Sequence, residues 1–323
     1  MLSKELRQGM RRGSFVVPFI AIHVLAVVCL VFDIRSGAGK APDSFGGLIN
    51  PILPLLCGPL WQLAAAVCGV LMPLGGLFLM SQELEEGNHE LLQLTPLDRW
   101  RVVIGKVVTL WGMAAVTLFS LLPYVVCRYL AGGIEWWNEA GCFLSVLMIA
   151  AVMTAGSVGA SAARSLAGKI PALFAFVFAA GFGCAVPMLM MGWRGYGVMF
   201  HFTGVAVTAC YVMFGLALAR SSLRVALLAY ETKPSVAIMG LLLTSPFALA
   251  LGSGISLGYG GGVLALLLGV AAFYSDRTPG ELSAKRKAMI TPAPAPCTAL
   301  TAADSAPPEG TACPVRCEDR NDR

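Results

Sequence analysis

The chain has 323 residues, of which 57% are hydrophobic and only 13% are charged. Soluble domains carry about a quarter charged residues, so this composition excludes a single soluble core and favours a protein that crosses a membrane several times. The formal net charge of +5 is too small and too dispersed along the chain to favour a nucleic-acid-binding protein.

The apolar runs predict an all-α bundle of six to eight transmembrane helices. A helix needs about twenty mostly apolar residues to cross a bilayer. The last two runs could instead form one re-entrant hairpin, because the segment GSGISLGYGGG between them is rich in glycine. The runs cover residues 14–33, 55–80, 107–130, 141–163, 170–192, 196–219, 235–257 and 260–275, within a transmembrane domain of residues 14–276.

The N-terminal segment MLSKELRQGMRRG, residues 1–13, predicts an amphipathic helix at the membrane surface. Leu2, Leu6 and Met10 recur every four residues, and basic residues occupy other positions of the same turns. The alternative is a simple basic anchor. The uncharged run Ser14–Phe32 is longer than the core of a signal peptide and no cleavage pattern follows it, so it predicts an uncleaved first span.

The second run has an irregular pattern at both ends. Pro51, Pro54 and Pro59 predict an irregular start, and Pro73 predicts a kink further along. Proline lacks the backbone N–H that a helix interior needs, and membrane helices tolerate it where neighbouring groups satisfy the freed carbonyls.

The distribution of Lys and Arg predicts the orientation. With a cytoplasmic N-terminus and alternating spans, 19 of the 23 basic residues lie on the cytoplasmic side and 4 lie outside. Both termini are then cytoplasmic, in a plasma membrane of the bacterial inner-membrane type. Trp136 and Trp137 lie at the outer interface, where amphipathic rings are favoured. The four basic residues on the outer side are Arg35, Lys40, Arg128 and Arg194.

One charged segment, residues 81–106, interrupts the apolar pattern between the second and third spans. Its first half alternates acidic and apolar residues, and Gly87 suggests a bend between two short helical pieces. Thr95, Pro96 and Asp98 form the start signal of a new helix, with a capping threonine, proline at the first position and an acid at the third. A helix is therefore expected to begin at Pro96 and to continue into the third span. A plain cytoplasmic loop stabilised by its own charge pairs is the alternative.

No motif predicts chemistry on this chain. The phosphate-binding pattern GxxxxGK[ST] is absent, as are HExxH, GxSxG and paired carboxylates. No Asp or Glu lies in the central part of a run, and this argues against an ion-coupled carrier because such carriers need charged groups at membrane depth. His23 and His201 are the ionisable candidates there, and His23 is interpreted as a packed or interfacial histidine. We expect no enzyme activity and no cofactor.

The ten cysteines do not predict a redox or metal site. Seven lie in or beside apolar runs, where cysteine behaves as a small hydrophobic residue. Residues 277–323 are rich in Pro, Ala and Thr and predict a disordered cytoplasmic tail. Cys313 and Cys317 in this tail form a CxxxC pattern with Cys297 upstream, which is a weak metal signal without a nearby histidine.

The segment between the second and third spans resembles the cytoplasmic loop of ABC-2 type permeases. In that family an acidic run precedes Gly-Thr, Glu-x-Leu-Leu, Thr-Pro-Leu and a Gly-Lys pair that opens the third span. Asn88 departs from the pattern, because threonine is commoner at that position. The N-terminal amphipathic helix is similar to the connecting helix of the family. The matching residues are Glu85, Glu86, Gly87, Glu90, Leu91, Leu92, Thr95, Pro96, Leu97, Arg99, Gly105 and Lys106.

The resemblance implies a permease subunit of an ABC transporter or exporter that pairs with a separate ATP-binding subunit and with a second permease, identical or not. It implies that residues Glu83–Leu94 dock in a groove of the ATPase. Leu91 and Leu92 would be the buried anchors, and Glu85, Glu86 and Glu90 would face basic residues of that partner. The helix from Pro96 to Lys106 would act as a lever, since a rigid connection converts docking into a rigid-body change.

Two other classes of function remain. The first is an ion-coupled secondary transporter, which needs ionisable groups or broken helices at membrane depth, and Pro73, Pro187 and Pro246 offer possible breaks. The second is a membrane-embedded enzyme or an assembly scaffold, and an enzyme would show acidic or histidine clusters at one interface.

Overall fold

Helices form nearly all of the part of the chain that the computed structural model describes, and no β-strand occurs in that part. These residues all belong to one compact unit, Met1–Arg277. The prediction of an all-α bundle is therefore confirmed. The described residues are 13–36, 50, 53–77, 99–131, 136–161, 166–192, 195, 197–227 and 236–275.

Three predicted features lie outside the described residues. They are the amphipathic helix over residues 1–13, apart from Gly13, the charged segment over residues 81–98, and the tail over residues 277–323.

The helices follow the predicted apolar runs in chain order. Because lipid offers no hydrogen-bond partner to a backbone group, a helix satisfies its own N–H and C=O groups and is the form these runs adopt. The elements are α1 (Gly13–Ser36), α2 (Leu53–Leu56), α3 (Pro59–Ala64), a π-helical segment (Ala65–Leu71), α4 (Met72–Leu74), α5 (Arg99–Ser120), α6 (Leu122–Leu130), α7 (Trp136–Ser161), α8 (Leu166–Gly192), α9 (Val198–Leu227), α10 (Val236–Ile255) and α11 (Gly260–Ser275).

Five helices of the described part are long and apolar enough to cross a membrane. Two shorter apolar helices, Pro59–Leu74 and Gly260–Ser275, accompany them, and α1 adds a further helix of 24 residues. The chain is accordingly a multi-pass membrane protein. The five long helices are Trp100–Leu130, Trp136–Ser161, Ala167–Gly192, Val198–Ser221 and Ala237–Ile255.

The second span is irregular, as its prolines predict. The chain bends at Gly58, whose φ of 109° lies in the left-handed region that favours glycine, and Pro59 then starts α3. A π-helical segment follows from Ala65 to Leu71. Pro73 lies in the short helix α4, and the Ser157 hydroxyl of the neighbouring helix α7 donates a hydrogen bond of 2.7 Å to the Pro73 carbonyl.

The third span consists of α5 and α6 with a tight turn at Leu121. Pro123 has no N–H to donate to the Phe119 carbonyl. The Leu121 N–H bonds to the Leu118 carbonyl at 3.1 Å, three residues back and not the four of an α-helix. This local tightening separates the first two-thirds of the span from its last nine residues, Leu122–Leu130.

Helix α9 packs in the middle of the C-terminal half, against α7 on one side and α11 on the other. Glycines permit the close approach: a Cβ on Gly215 would overlap the backbone of Ala155. Helices α10 and α11 form a hairpin whose turn passes through Leu257 and Gly258 with positive φ values of 55° and 99°. At 1.5 Å per residue, the sixteen residues of α11 span about 24 Å, less than a bilayer core.

Candidate functional site: the two ends of the third span

Most of the predicted coupling residues lie outside the described residues. Arg99, Gly105 and Lys106 are the three that the structure places, and all three lie on α5, which begins at Arg99. The nine outside are Glu83, Glu85, Glu86, Gly87, Glu90, Leu91, Leu92, Thr95 and Pro96.

Helix α5 runs without interruption from Arg99 through Gly105 and Lys106 into the span. The Gly105 carbonyl accepts a hydrogen bond of 2.8 Å from the Thr109 hydroxyl, and a Cβ on Gly105 would meet nothing within 4 Å. Lys106 is 7% exposed. Packing among the described residues therefore does not require a glycine at position 105.

The first turns of α5 are held to α7 and α9 by apolar packing. Val103 and Val107 are buried in one cluster with Val158 of α7 and Ala219 of α9. Val103 and Val107 are four residues apart and therefore lie on one face of α5. A force applied before Arg99 would therefore be transmitted to α7 and α9 as well as along α5.

An aromatic contact ties the start of α5 to the ends of two other helices. The Trp100 ring stacks on Phe273 of α11, with ring centroids 4.9 Å apart and an angle of 26° between the planes. The Arg220 guanidinium of α9 lies 5.3 Å from the centroid of the same Trp100 ring. Such a cation–π contact contributes about 0.5–2 kcal/mol. This contact was not predicted from the sequence, where Arg220 is one of the 19 basic residues placed on the cytoplasmic side.

The opposite end of the third span carries a buried ion cluster, which consists of Asp33, Arg128 and Glu139. Arg128 Nη1 donates to Glu139 Oε1 at 2.7 Å, and Arg128 Nε lies 3.3 Å from Asp33 Oδ2. The side chains of the three residues are 1%, 1% and 2% exposed for Arg128, Asp33 and Glu139. Arg128 Nη2 also donates to the Cys57 carbonyl.

Two groups of the second span complete the cluster. The Trp61 indole N–H donates to Glu139 Oε2 at 2.8 Å, and the Leu60 N–H donates to Asp33 Oδ2 at 3.4 Å. The bend at Gly58 lies between Cys57, whose carbonyl accepts from Arg128, and these donors at the start of α3. The cluster therefore joins α1, α3, α6 and α7 at the end of the bundle where the first and third spans end.

This cluster was not predicted from the sequence. Asp33 and Glu139 lie at the edges of their apolar runs and not in the central parts where a functional charge is expected, and Arg128 was interpreted only as a residue of the outer side. All three cluster residues are buried inside the bundle although they lie outside the central parts of their runs. One feature of the sequence does point to the cluster, because the predicted topology places all three residues at span ends on the same side of the membrane.

His23 is a packed residue, in agreement with its interpretation from sequence. Its Nε2 lies 3.0 Å from the Ser120 hydroxyl oxygen, which itself donates to the Thr117 carbonyl at 2.6 Å. The His23 ring lies between Phe19 and Tyr124, with centroid distances of 4.7 Å and 5.8 Å. These contacts join α1 to the tight turn of the third span.

The seven cysteines of the apolar runs are free thiols, and Cys57, Cys68, Cys142 and Cys210 are buried. They behave as the small hydrophobic residues that the sequence predicts. Within the described part of the chain, no group of three or more His, Cys, Asp or Glu side chains could hold a metal ion. The CxxxC pattern of the tail lies outside that part.

A scan against protein-family models, a search of the curated proteins and a search of the solved structures each find no match to this chain. The features that bear on function are therefore the motif in the sequence and the geometry of the two ends of the third span.

Proposed function

We propose that this protein is the membrane-spanning permease subunit of an ABC transporter of the ABC-2 type, driven by a separate ATPase subunit. The observation that carries the proposal is the motif that runs from Glu85 to Lys106 directly before the third span. The ATPase would hydrolyse ATP, and this chain would convert the closure of its partner into movement of the spans.

The described structure supports the proposed lever in two ways. Helix α5 is continuous from Arg99 to Ser120, so a push on its first turn tilts the helix instead of bending a loop. Val103 and Val107 are buried against α7 and α9, so that tilt would move two further spans. Because packed helices move as rigid bodies, a small shift at the docking segment becomes a change across the bundle.

The docking segment itself is proposed to be residues 83–94. Leu91 and Leu92 would enter an apolar groove of the ATPase, and Glu85, Glu86 and Glu90 would meet basic residues at its rim. Buried apolar anchors supply most of the affinity in such interfaces, and rim charges mainly set the orientation and the rate of association.

The proposal is tested by co-expression of the full chain with an ATP-binding cassette subunit, which the proposal expects to be encoded in a neighbouring reading frame. Affinity purification through the permease should recover the ATPase. Leu91→Asp should abolish recovery because it places a charge in an apolar groove, and Glu90→Lys should reduce recovery by at least tenfold at low ionic strength.

The matched control is Glu135→Lys, an equal charge reversal in the loop that the predicted topology places on the other side of the membrane. This variant should recover the ATPase as the unmodified chain does. If Leu91→Asp and Glu90→Lys both retain full ATPase binding, the coupling assignment is wrong.

A second candidate function follows from the ion cluster. An ion-coupled secondary transporter needs ionisable groups buried in the bundle, and Asp33, Arg128 and Glu139 meet that requirement. Purified protein in vesicles would then accumulate a substrate on an ion gradient without any ATPase. Transport that appears only with the ATP-binding subunit and ATP would rule this candidate out.

A further inference from the structure

The charges of the ion cluster do not balance. With both carboxyl groups ionised, Asp33, Arg128 and Glu139 sum to −1, and all three side chains are at most 2% exposed. An unbalanced charge inside a protein costs several kcal/mol, and lipid around the bundle increases that cost. A positive species bound at the cluster would remove the imbalance.

Both oxygens of Glu139 already accept a hydrogen bond from the protein. Its Oε1 accepts from Arg128 Nη1 at 2.7 Å and its Oε2 accepts from the Trp61 N–H at 2.8 Å. Hydrogen bonds to a charged carboxylate are stronger than those to a neutral acid, so a proton on either oxygen would weaken one of these bonds. The contacts of Glu139 therefore favour its carboxylate form.

Asp33 differs from Glu139 in the hydrogen bonding of its two carboxyl oxygens. Its Oδ2 faces both the Leu60 N–H at 3.4 Å and Arg128 Nε at 3.3 Å. Its Oδ1 is fully buried and has no hydrogen-bond partner among the described residues. A proton on Oδ1 displaces no donor. It leaves one neutral O–H group without an acceptor, which costs less than an unbalanced buried charge.

We propose that Asp33 Oδ1 is a proton-binding site and that the folded protein holds this proton at neutral pH. Binding converts the Asp33 carboxylate to the neutral acid, with no other change of bonds, and leaves Arg128 and Glu139 as a balanced ion pair. The proposal does not depend on the ATPase partner. In the predicted topology this end of the bundle faces outward, so the proton would exchange with the external solution.

Among the described residues, the charges that face Asp33 are those of Arg128 and Glu139. Helix α3, which packs against α1, carries no ionisable side chain, and Arg35 at the end of α1 is exposed. The remaining ionisable side chains on the surrounding elements are His23 and Cys29 on α1, Cys57 before α3, Tyr124, Cys127 and Tyr129 on α6, and Cys142 on α7.

Two amide substitutions distinguish the two carboxyl groups. In Asp33→Asn the amide oxygen replaces Oδ2 and the NH₂ group replaces the protonated Oδ1, so the variant reproduces the proposed state. In Glu139→Gln the NH₂ group must face either the Trp61 N–H or Arg128 Nη1, and two donors then oppose each other. The two variants remove one carboxylate each and serve as matched controls for one another.

The first measurement is the thermal unfolding of the full chain in detergent at pH 7, followed with a dye that reacts with the buried thiols as they become exposed. Asp33→Asn should unfold within about 2 °C of the unmodified protein, and Glu139→Gln should unfold at least about 5 °C lower. A melting temperature for Asp33→Asn as low as that of Glu139→Gln would overturn the proposal.

The second measurement is infrared spectroscopy of the same proteins at pH 7 in H₂O and D₂O. The unmodified protein should show the C=O band of a protonated carboxylic acid, shifted in D₂O, and Asp33→Asn should lack it. Persistence of the band in Asp33→Asn assigns the proton elsewhere and overturns the proposal. Absence of the band from the unmodified protein also overturns the proposal. If NaCl, but not choline chloride, then raises the melting temperature of that protein, the result indicates a bound Na⁺ in place of the proton.

Discussion

The two ends of the third span are held in place by different kinds of interaction. At its start, Trp100 stacks on Phe273 beneath the Arg220 guanidinium, and the helix leads directly from the predicted docking segment. At its end, Arg128 is enclosed by two carboxyl groups and a backbone carbonyl. Two aromatic rings in contact can slide past each other at a small cost in free energy, whereas a buried ion pair has one favourable geometry.

This difference fits a lever with one anchored end. The proposed coupling force enters at Arg99, and the ion cluster holds the far end of the span to α1, α3 and α7. Between them, Pro123 and the tight turn at Leu121 interrupt the regular hydrogen bonding, so the two parts of the span can change their angle there. The predictions below test this division, beginning with the largest effect.

Arg128→Met should be the most damaging change. It keeps most of the volume but leaves two carboxyl groups buried without their cation, and removal of one partner from a buried ion pair costs about 3–5 kcal/mol. The melting temperature of the full chain in detergent measures the loss. Arg35→Met is the matched control, because Arg35 is an exposed residue at the same end of α1. Equal stability of the two variants would show that the cluster is not an anchor.

Trp61→Phe should cost less. The ring remains buried, but Glu139 Oε2 loses a donor at 2.8 Å, and a hydrogen bond to a charged group is worth about 1.5–3 kcal/mol. Trp111→Phe provides the comparison, because the Trp111 N–H donates at 3.1 Å to the neutral Leu147 carbonyl. Chemical or thermal unfolding should rank Trp61→Phe below Trp111→Phe in stability, and the reverse order would indicate that Glu139 is not charged.

Span positions could be predicted from the sequence because each apolar run reflects one local requirement, a helix long enough for a bilayer. The run 107–130 lies within the described helix Trp100–Leu130, and Pro59, which predicts an irregular start, begins α3 directly after the bend at Gly58. Pro123 lies beside the tight turn at Leu121, although the sequence pattern was not interpreted as a break there.

The ion cluster could not be predicted in the same way because its residues are distant in sequence. Asp33 and Arg128 are 95 positions apart, and nothing near either residue indicates that they meet. Charges at the edges of apolar runs are usually solvated at the membrane surface, which is the interpretation that Arg128 received. The cation–π contact of Trp100 with Arg220 has the same origin, since it depends on how α5, α9 and α11 pack.

Trp100→Leu should have a moderate effect on stability. It removes a ring stack worth about 0.5–1.5 kcal/mol together with the cation–π contact, while leucine retains part of the apolar contact. We expect a loss of about 1–2 kcal/mol in the free energy of unfolding, smaller than that of Arg128→Met. Trp137→Leu is the control, because Trp137 is 69% exposed at the opposite end of the bundle. A Trp100→Leu loss as large as that of Arg128→Met would contradict the weaker hold proposed for the start of the span.

Gly105→Ala should have the smallest effect on stability, and it separates stability from coupling. Alanine favours a helix interior by about 0.5–1 kcal/mol over glycine, and a Cβ at position 105 meets nothing within 4 Å. The melting temperature should therefore stay the same or rise slightly. Gly215→Ala, where the added Cβ overlaps the backbone of Ala155, should lower it and so confirm that the assay detects a single methyl group.

The same Gly105→Ala variant should weaken the proposed coupling if the glycine is present for close contact with the ATPase. The measurement is the stimulation of ATP hydrolysis in the assembled permease–ATPase complex, compared with the amount of complex recovered. Reduced stimulation at an unchanged melting temperature would place the role of Gly105 in force transmission. A variant that is normal in both measurements would remove Gly105 from the coupling site and leave Lys106 and the acidic segment before Arg99 to account for the contact.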